Sequence, residues 1–382
     1  MTQKIKRILV APDKFKGSLS AMEVCQAVAQ GVRRALPEVH FDFAPLADGG
    51  DGSLAVLAKA LDLQEVSLKV EDPLGRPIVA SYYRSKDAAF VEMAAASGMV
   101  LLSPEERDPQ RTSTFGTGLL MRHAIEGGLQ RIFLFLGGSA TNDAGMGIAE
   151  ALGFKFIGPD GKYLRGQGKN LARVTHIMPP ANQLSETPKI ICLCDVQNPL
   201  LGKNGATQVY APQKGATAQD VQELELGMTK FAKRLHTFTG EPVDAVPGGG
   251  AAGGIAAGLM ALFSAEIRSG MKAIQQWLEL EVRMQWADLV ITGEGKLDAQ
   301  TLEGKVVDGV LSLASRSNRE AIVVTGVNTL SDFPNKSYPT PDILAIMDVA
   351  PDETSAISNA ADYVAELLEA YFEERKKASP TA

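Results

Sequence analysis

The sequence is poor in the residues that most often carry enzyme chemistry. It holds four histidines and three cysteines in 382 residues. There is no His-Glu-x-x-His and no Gly-x-Ser-x-Gly, and every Gly-Lys pair is followed by Tyr, Asn, Val or Leu. Zinc-protease, nucleophile-elbow and P-loop chemistry therefore have no motif to rest on, and neither His-Arg-Asp nor Asp-Phe-Gly of the protein kinases occurs. His40, His123, His176 and His236 have no partner pattern and read as structural. Cys25, Cys192 and Cys194 match no zinc spacing, and the last two alternate on an apparent strand, so reduced core thiols are expected. No stretch approaches the ~20 apolar residues of a membrane span. At the amino terminus, MTQKIKRILVAPDKF has only a short apolar run from Ile8 to Pro12 before charge returns. That is too short for a signal peptide, and a cytoplasmic protein is expected. A net charge of −7 argues against a general nucleic-acid binder. It leaves room for an anionic small substrate held by a few local lysines or arginines.

What is present is an ordinary globular composition, 45% apolar and 22% charged, long enough for two or three domains. IKRILVAP is a short strand. Ser20 and Glu23 then form a capping box before apolar positions at helical spacing, and HFDFAP is a second strand leading through LADGGDGS to a helix ending near Leu61. The far end repeats the pattern. WADLVITGEGKLDAQT predicts a strand, a glycine turn and a polar loop before a helix; REAIVVTGVN and DILAIMD are strands, and ISNAADYVAELLEAYFEE is a closing amphipathic helix. The middle is more mixed. It has a hairpin around Pro-Leu-Gly-Arg, the strand RIFLFL, the helix AGMGIAEALG, a second hairpin KFIGPDGKYL, the buried strand PKIICLCDV and a glycine-led helix GGGAAGGIAAGLMALF. The expected fold class is α/β in two domains. A Rossmann-like, doubly wound parallel-sheet domain takes residues 1–64 and 288–382, a mixed α/β domain takes 65–287, and the active site lies in the cleft between them.

Polar loops recur at the carboxyl ends of the strands, where open parallel sheets bind ligands. They bring forward Asp13, Lys14 and Lys16, then Asp48 and Asp51, Asp143, Asp195, and finally Glu294, Lys296 and Asp298. In GGSATND, Gly137 and Gly138 would let a ligand approach the backbone, while Ser139, Thr141 and Asn142 add donors beside the unpaired N–H groups of the next helix. The sum is a phosphate pocket without a fixed positive charge; a plain helix cap by Asn142 or Asp143 is the alternative. Glu294 and Asp298 flanking Lys296 suit Mg²⁺ and a phosphate. Gly248, Gly250 and Gly253 spell G-x-G-x-x-G, but DAVP precedes them where a dinucleotide fingerprint needs a strand. They read as a glycine-rich helix start near a phosphate.

These loops together resemble the bacterial glycerate kinases. The stretches that carry the resemblance are APDKFKGSLSA, PLADGGDGS, DPLGRP, TSTFGTG, GGSATNDAGMGIAEALG, DVQNPLLGKNGA, APQKGA and ADLVITGEGKLDAQTLEGK, in that order from residue 11 to about 305. PGGGAAGG stands where PGAGAAGG is expected, and ADGGDG where ADGGEG is commoner. The resemblance implies ATP- and Mg²⁺-dependent phosphorylation of D-glycerate, to 2-phosphoglycerate or in the older description 3-phosphoglycerate, during breakdown of glyoxylate, glucarate or galactarate. On that basis Asp195 would accept the glycerate hydroxyl proton. Lys296 and Gly137, Gly138, Ser139, Thr141 and Asn142 would stabilise the transferring phosphate, with Gly249 and Gly250 near ATP. Lys16 and Ser18 would hold the substrate carboxylate, with Asp13 and Asp48 beside it, and Glu294 and Asp298 would sit near the metal. A two-lobed small-acid sensor and a dinucleotide-dependent hydroxy-acid oxidoreductase are the rival classes.

Overall fold

A computed structural model describes residues 5–47, 53–181, 188–302, 306–330 and 338–378. Its strands run in chain order β1 (Arg7–Val10), β2 (His40–Phe43), β3 (Gln64–Glu71), β4 (Pro77–Arg84), β5 (Ala88–Glu92), β6 (Arg131–Phe135), β7 (Lys155–Ile157), β8 (His176–Met178), β9 (Lys189–Leu193), β10 (Glu266–Arg268), β11 (Leu289–Leu297), β12 (Glu320–Asn328) and β13 (Asp342–Ala345). The chain divides into two compact units, Met1–Asp48 with Met271–Ala382, and Gly49–Gly270. The seams thus lie at 48/49 and 270/271, where the sequence suggested 64/65 and 287/288. The helix Ser53–Ala60 packs on β5 of the middle unit, and the helix Leu280–Trp286 packs on β1 of the terminal unit. Tertiary packing rather than a composition change sets both seams. Among the described residues no helix is long and apolar enough to cross a membrane.

The terminal unit holds a five-stranded parallel sheet in the order β13-β12-β11-β1-β2. Counted within the sheet this is 2-1-3-4-5, a doubly wound order whose switch point lies between β1 and β11. ILV, LVIT and IVVT are apolar without alternation because both faces are covered. Ile322 and Val324 join the core under the helices Ala21–Ala35 and Ala360–Ala378, and Val323 joins the opposite core under Val306–Arg316. The predicted Ser20–Glu23 capping box closes the first turn of the helix Ala21–Ala35. That helix meets Ala360–Ala378 at Gly31, where the Ala365 carbonyl lies directly over the Cα.

The middle unit has a six-stranded mixed sheet, β10-β9-β6-β5-β4-β3. The first four strands are parallel, and the β3–β4 hairpin finishes the sheet antiparallel. The Pro-Leu-Gly-Arg turn of that hairpin is fastened by Asp72, whose Oδ1 accepts the N–H groups of Leu74 at 2.8 Å and Arg76 at 2.9 Å. KFIGPDGKYL makes its turn, but β7 pairs with β8, leaving Tyr163 only an isolated bridge to Ile157. All three cysteines are free thiols, two of them buried.

Gly31→Ala would drive a Cβ into the Ala365 carbonyl between two backbones that cannot part without opening the core. The expected loss is about 1–3 kcal/mol of stability, read as a lower thermal midpoint. An unchanged midpoint would mean that the two helices are not in close contact there.

Candidate active site

In the terminal unit, the loop after β1 lies against strand β11 at the switch point. The Asp13 N–H donates to Gly293 O at 2.8 Å, and buried Asp13 accepts the Lys14 N–H at 2.7 Å. Gly295 allows this closeness, since a Cβ there would lie 3.1 Å from Lys16 N; a Cβ on Gly293 would overlap the Val324 carbonyl of the neighbouring strand β12. GEGKL is strand rather than loop, since Glu294 pairs with Thr325 and Lys296 with Val327. β12 is long enough to continue the ladder, and Gly326 admits the Gly295 carbonyl. Lys296 is exposed, with its ammonium 3.6 Å from Asp298 Oδ2. Lys16 is exposed as well. The Ser18 hydroxyl donates its one proton to Ile357 O at 2.7 Å, which leaves none for a substrate carboxylate. Asp48 and Asp51 lie outside the described residues.

In the middle unit, GGSATND is a loop half-buried at its two glycines, buried from Ser139 to Asp143, and held by many hydrogen bonds. Gly138, at φ +73°, accepts the Met99 N–H at 2.9 Å, and Ala140 donates to Ser97 O at 3.0 Å while its own carbonyl accepts from Thr112 Oγ1 at 2.8 Å. The expected unpaired N–H groups are all taken. The Asp143 carboxylate accepts from Gly145 N (3.1 Å), Gly147 N (3.2 Å), Thr114 N (2.9 Å) and Thr114 Oγ1 (2.8 Å). Ile148 N donates to Thr114 Oγ1 at 3.0 Å, Met146 N to Asp143 O and Ala144 N to Gly253 O. Asp143 therefore satisfies the start of the short helix Met146–Ala151, as the capping alternative required.

Nor is the pocket uncharged. Buried Lys214 donates from Nζ at 2.7 Å to both Ser139 Oγ and Thr141 O. Burial pushes the Asp143 carboxyl up to about 6 against its four hydrogen bonds, and pushes the Lys214 ammonium down to about 7 against the pull of Asp143. All four partners of Asp143 are donors, which is the arrangement an ionised carboxylate requires. Asn142 Nδ2 donates to Thr207 Oγ1 at 3.1 Å. Thr141 Oγ1 and Asn142 Oδ1 are buried with no partner among the described residues.

The glycine run presses on this loop. In the helix Ala251–Phe263, Ala252, Gly253 and Gly254 are left-handed at φ 53°, 70° and 88°. A Cβ on Gly253 would overlap the Thr141 carbonyl, and one on Gly258 the Ala144 carbonyl. Ala252 holds an unfavourable conformation that costs roughly 1–2 kcal/mol. Gly249 and Gly250, expected near ATP, are buried, and their N–H groups donate to Val246 O and Asn198 O at 2.9 Å. Gly250 packs against the Asn198 and Pro199 carbonyls of DVQNP, and Gly249 against Val246 and Ala257. Asp195, two residues past β9, is half-buried. Its Oδ1 accepts from Ser269 Oγ at 2.6 Å, and its Oδ2 faces Gly270 at the start of the helix Gly270–Trp277. Lys214 and Thr114 are the residues holding this loop that the sequence did not single out. They sit in APQKGA and TSTFGTG, where a lysine or a threonine looks like any solvated loop residue.

A family model described as the glycerate kinase family matches residues 8–374. The chain is 40% identical over 324 residues to a glycerate kinase of Halalkalibacterium halodurans, covering 84% of this chain and 85% of the other. It is 40% identical over 323 residues to the glycerate 2-kinase of Escherichia coli K12, with the same coverage of 84% and 85%. A crystal structure from Salmonella typhimurium LT2, described as a glycerate kinase 2, is similar with a TM-score of 0.84 and 36% identity over 98% of this chain and 99% of that one.

Asp143→Ala removes the acceptor of four donors and leaves the Lys214 ammonium buried without its counter-charge. A loss of about 3–5 kcal/mol is expected in urea unfolding. A loss below about 1 kcal/mol, the scale of an exposed pair, would mean that Asp143 does not carry the loop.

Proposed function

The chain belongs to the glycerate kinase family, and on that premise we propose that it transfers the terminal phosphoryl group of ATP to D-glycerate, giving 2-phosphoglycerate. The observation that carries this reading is the GGSATND loop, where hydroxyl donors gather around one buried ammonium. Phosphoryl transfer asks a protein chiefly to position two substrates and to spread developing negative charge over fixed donors. A loop already fixed by its own hydrogen bonds does this without reorganising during the reaction.

The substrate hydroxyl oxygen forms the new bond to phosphorus as the bond to the ADP oxygen breaks, and Asp195 takes the hydroxyl proton. Ser139 and Thr141, held by Lys214, stabilise the transferring group, with Lys296 as an exposed cation, and Lys16 attracts the substrate carboxylate. Mg²⁺ would neutralise phosphate charge, and it keeps most of its coordination for water and phosphate, so one or two carboxylates suffice; Glu294 and Asp298 fit that need. The reaction would belong to cytoplasmic breakdown of glyoxylate, glucarate or galactarate.

Asp195→Asn keeps the shape and an acceptor for Ser269 while removing the base. ADP release with D-glycerate should fall by roughly 10²-fold or more. A near-normal rate would take Asp195 out of the proton transfer. Phosphorus NMR of the wild-type product should give 2-phosphoglycerate; 3-phosphoglycerate would keep the kinase and move the reacting hydroxyl, and absence of ADP would overturn the reaction.

A further inference from the structure

Lys214 does more than face Asp143. The Ser139 oxygen accepts a hydrogen bond from the Lys214 ammonium at 2.7 Å. A hydroxyl that accepts from a cation turns its own proton away from it, and among the described residues no acceptor takes that proton. The neighbouring Thr141 Oγ1 is buried and has no partner among the described residues, while the Thr141 carbonyl is held by the same ammonium. The loop therefore presents donors, arranged around one cation, whose acceptors are not supplied by the described protein. An anion with several oxygens is the ligand such a set would take.

We propose that Lys214 is a positioning residue for phosphoryl transfer: by fixing Ser139 Oγ and the Thr141 carbonyl, it aims the Ser139 hydroxyl proton at an oxygen of the transferring phosphate. This rests on the kinase reading above and names a residue through which that reading would work. The charged group acting on Lys214 is Asp143. The segment packed over Gly215 carries Arg107, but its contact there is through backbone and Cβ. Ser139 and Thr141, its two direct partners, are uncharged. Because burial holds the ammonium low, at about 7, it gives up a proton as pH rises. The neutral amine keeps two N–H groups but gains a lone pair that accepts the Ser139 hydroxyl proton, so that proton is turned from the ligand toward Nζ on the alkaline side.

The test compares Lys214→Met, Ser139→Ala and the double variant with the wild type by ADP release across neutral to alkaline pH. Each single variant should lose roughly 10²-fold in kcat, the scale of one oriented donor to a developing oxyanion. The double variant should lose no more than the worse single one, since both act through one hydrogen bond. Wild-type kcat/KM should fall as pH rises above about 7, and Ser139→Ala should lack that fall. Additive losses, or an alkaline fall that survives Ser139→Ala, overturn the proposal. Should Lys214→Met not fold, Ser139→Ala against the wild type decides it alone. Wild-type turnover with an unimpaired Ser139→Ala defeats the positioning role only, whereas a wild type that releases no ADP with glycerate defeats the reaction and this proposal together.

Discussion

A lysine and an aspartate, both buried, set the shape of the loop from Gly137 to Asp143. Asp143 gathers the N–H groups at the start of the helix Met146–Ala151 and both donors of Thr114. Lys214 takes hold of the opposite side, at Ser139 and Thr141. Burying two charges is expensive, and a pair of this kind adds little net stability over an apolar filling. Its return is geometric, because an ammonium that must keep both acceptors permits few arrangements of the loop. The burial that makes the charges expensive also strengthens every hydrogen bond they make.

The rest of the middle unit is shaped to that pair. The left-handed turn at Ala252–Gly254 lets Gly253 O accept the Ala144 N–H and brings the helix Ala251–Phe263 against Thr141 and Ala144. Glycine is needed at Gly253 and Gly258 because carbonyls occupy the space of a side chain. The glycine run that reads from its composition as a helix start near a phosphate is the floor on which the Ser139–Asp143 loop rests. In the terminal unit, Gly295 does comparable work, bringing the loop after β1 onto the end of β11.

Much of this was legible in the residues. The apolar runs ILV, LVIT and IVVT announce a parallel sheet covered on both faces, and Ser20 with Glu23 marks the helix start that is found. The polar loops at strand ends locate Asp13, Asp195 and GGSATND at the carboxyl edges of their sheets. Three things were not legible. β11 continues through GEGKL because β12 offers a ladder, and a partner strand cannot be read from a glycine-rich stretch alone. The seams between the units follow helix packing, which has no local signature. Lys214 escaped because a buried lysine is defined by its acceptors, and these lie some seventy residues earlier, at Ser139 and Thr141. Ser18 shows the converse, a hydroxyl of suitable type whose proton is already committed to Ile357.

The most direct measurement is a crystal structure of the protein with D-glycerate and a non-hydrolysable ATP analogue. Phosphate oxygens within hydrogen-bond distance of Ser139 Oγ, with Lys214 still holding that oxygen, are the expected result. A triphosphate bound elsewhere, with the Gly137–Asn142 segment touching only protein, would contradict the assignment of that loop to phosphoryl transfer.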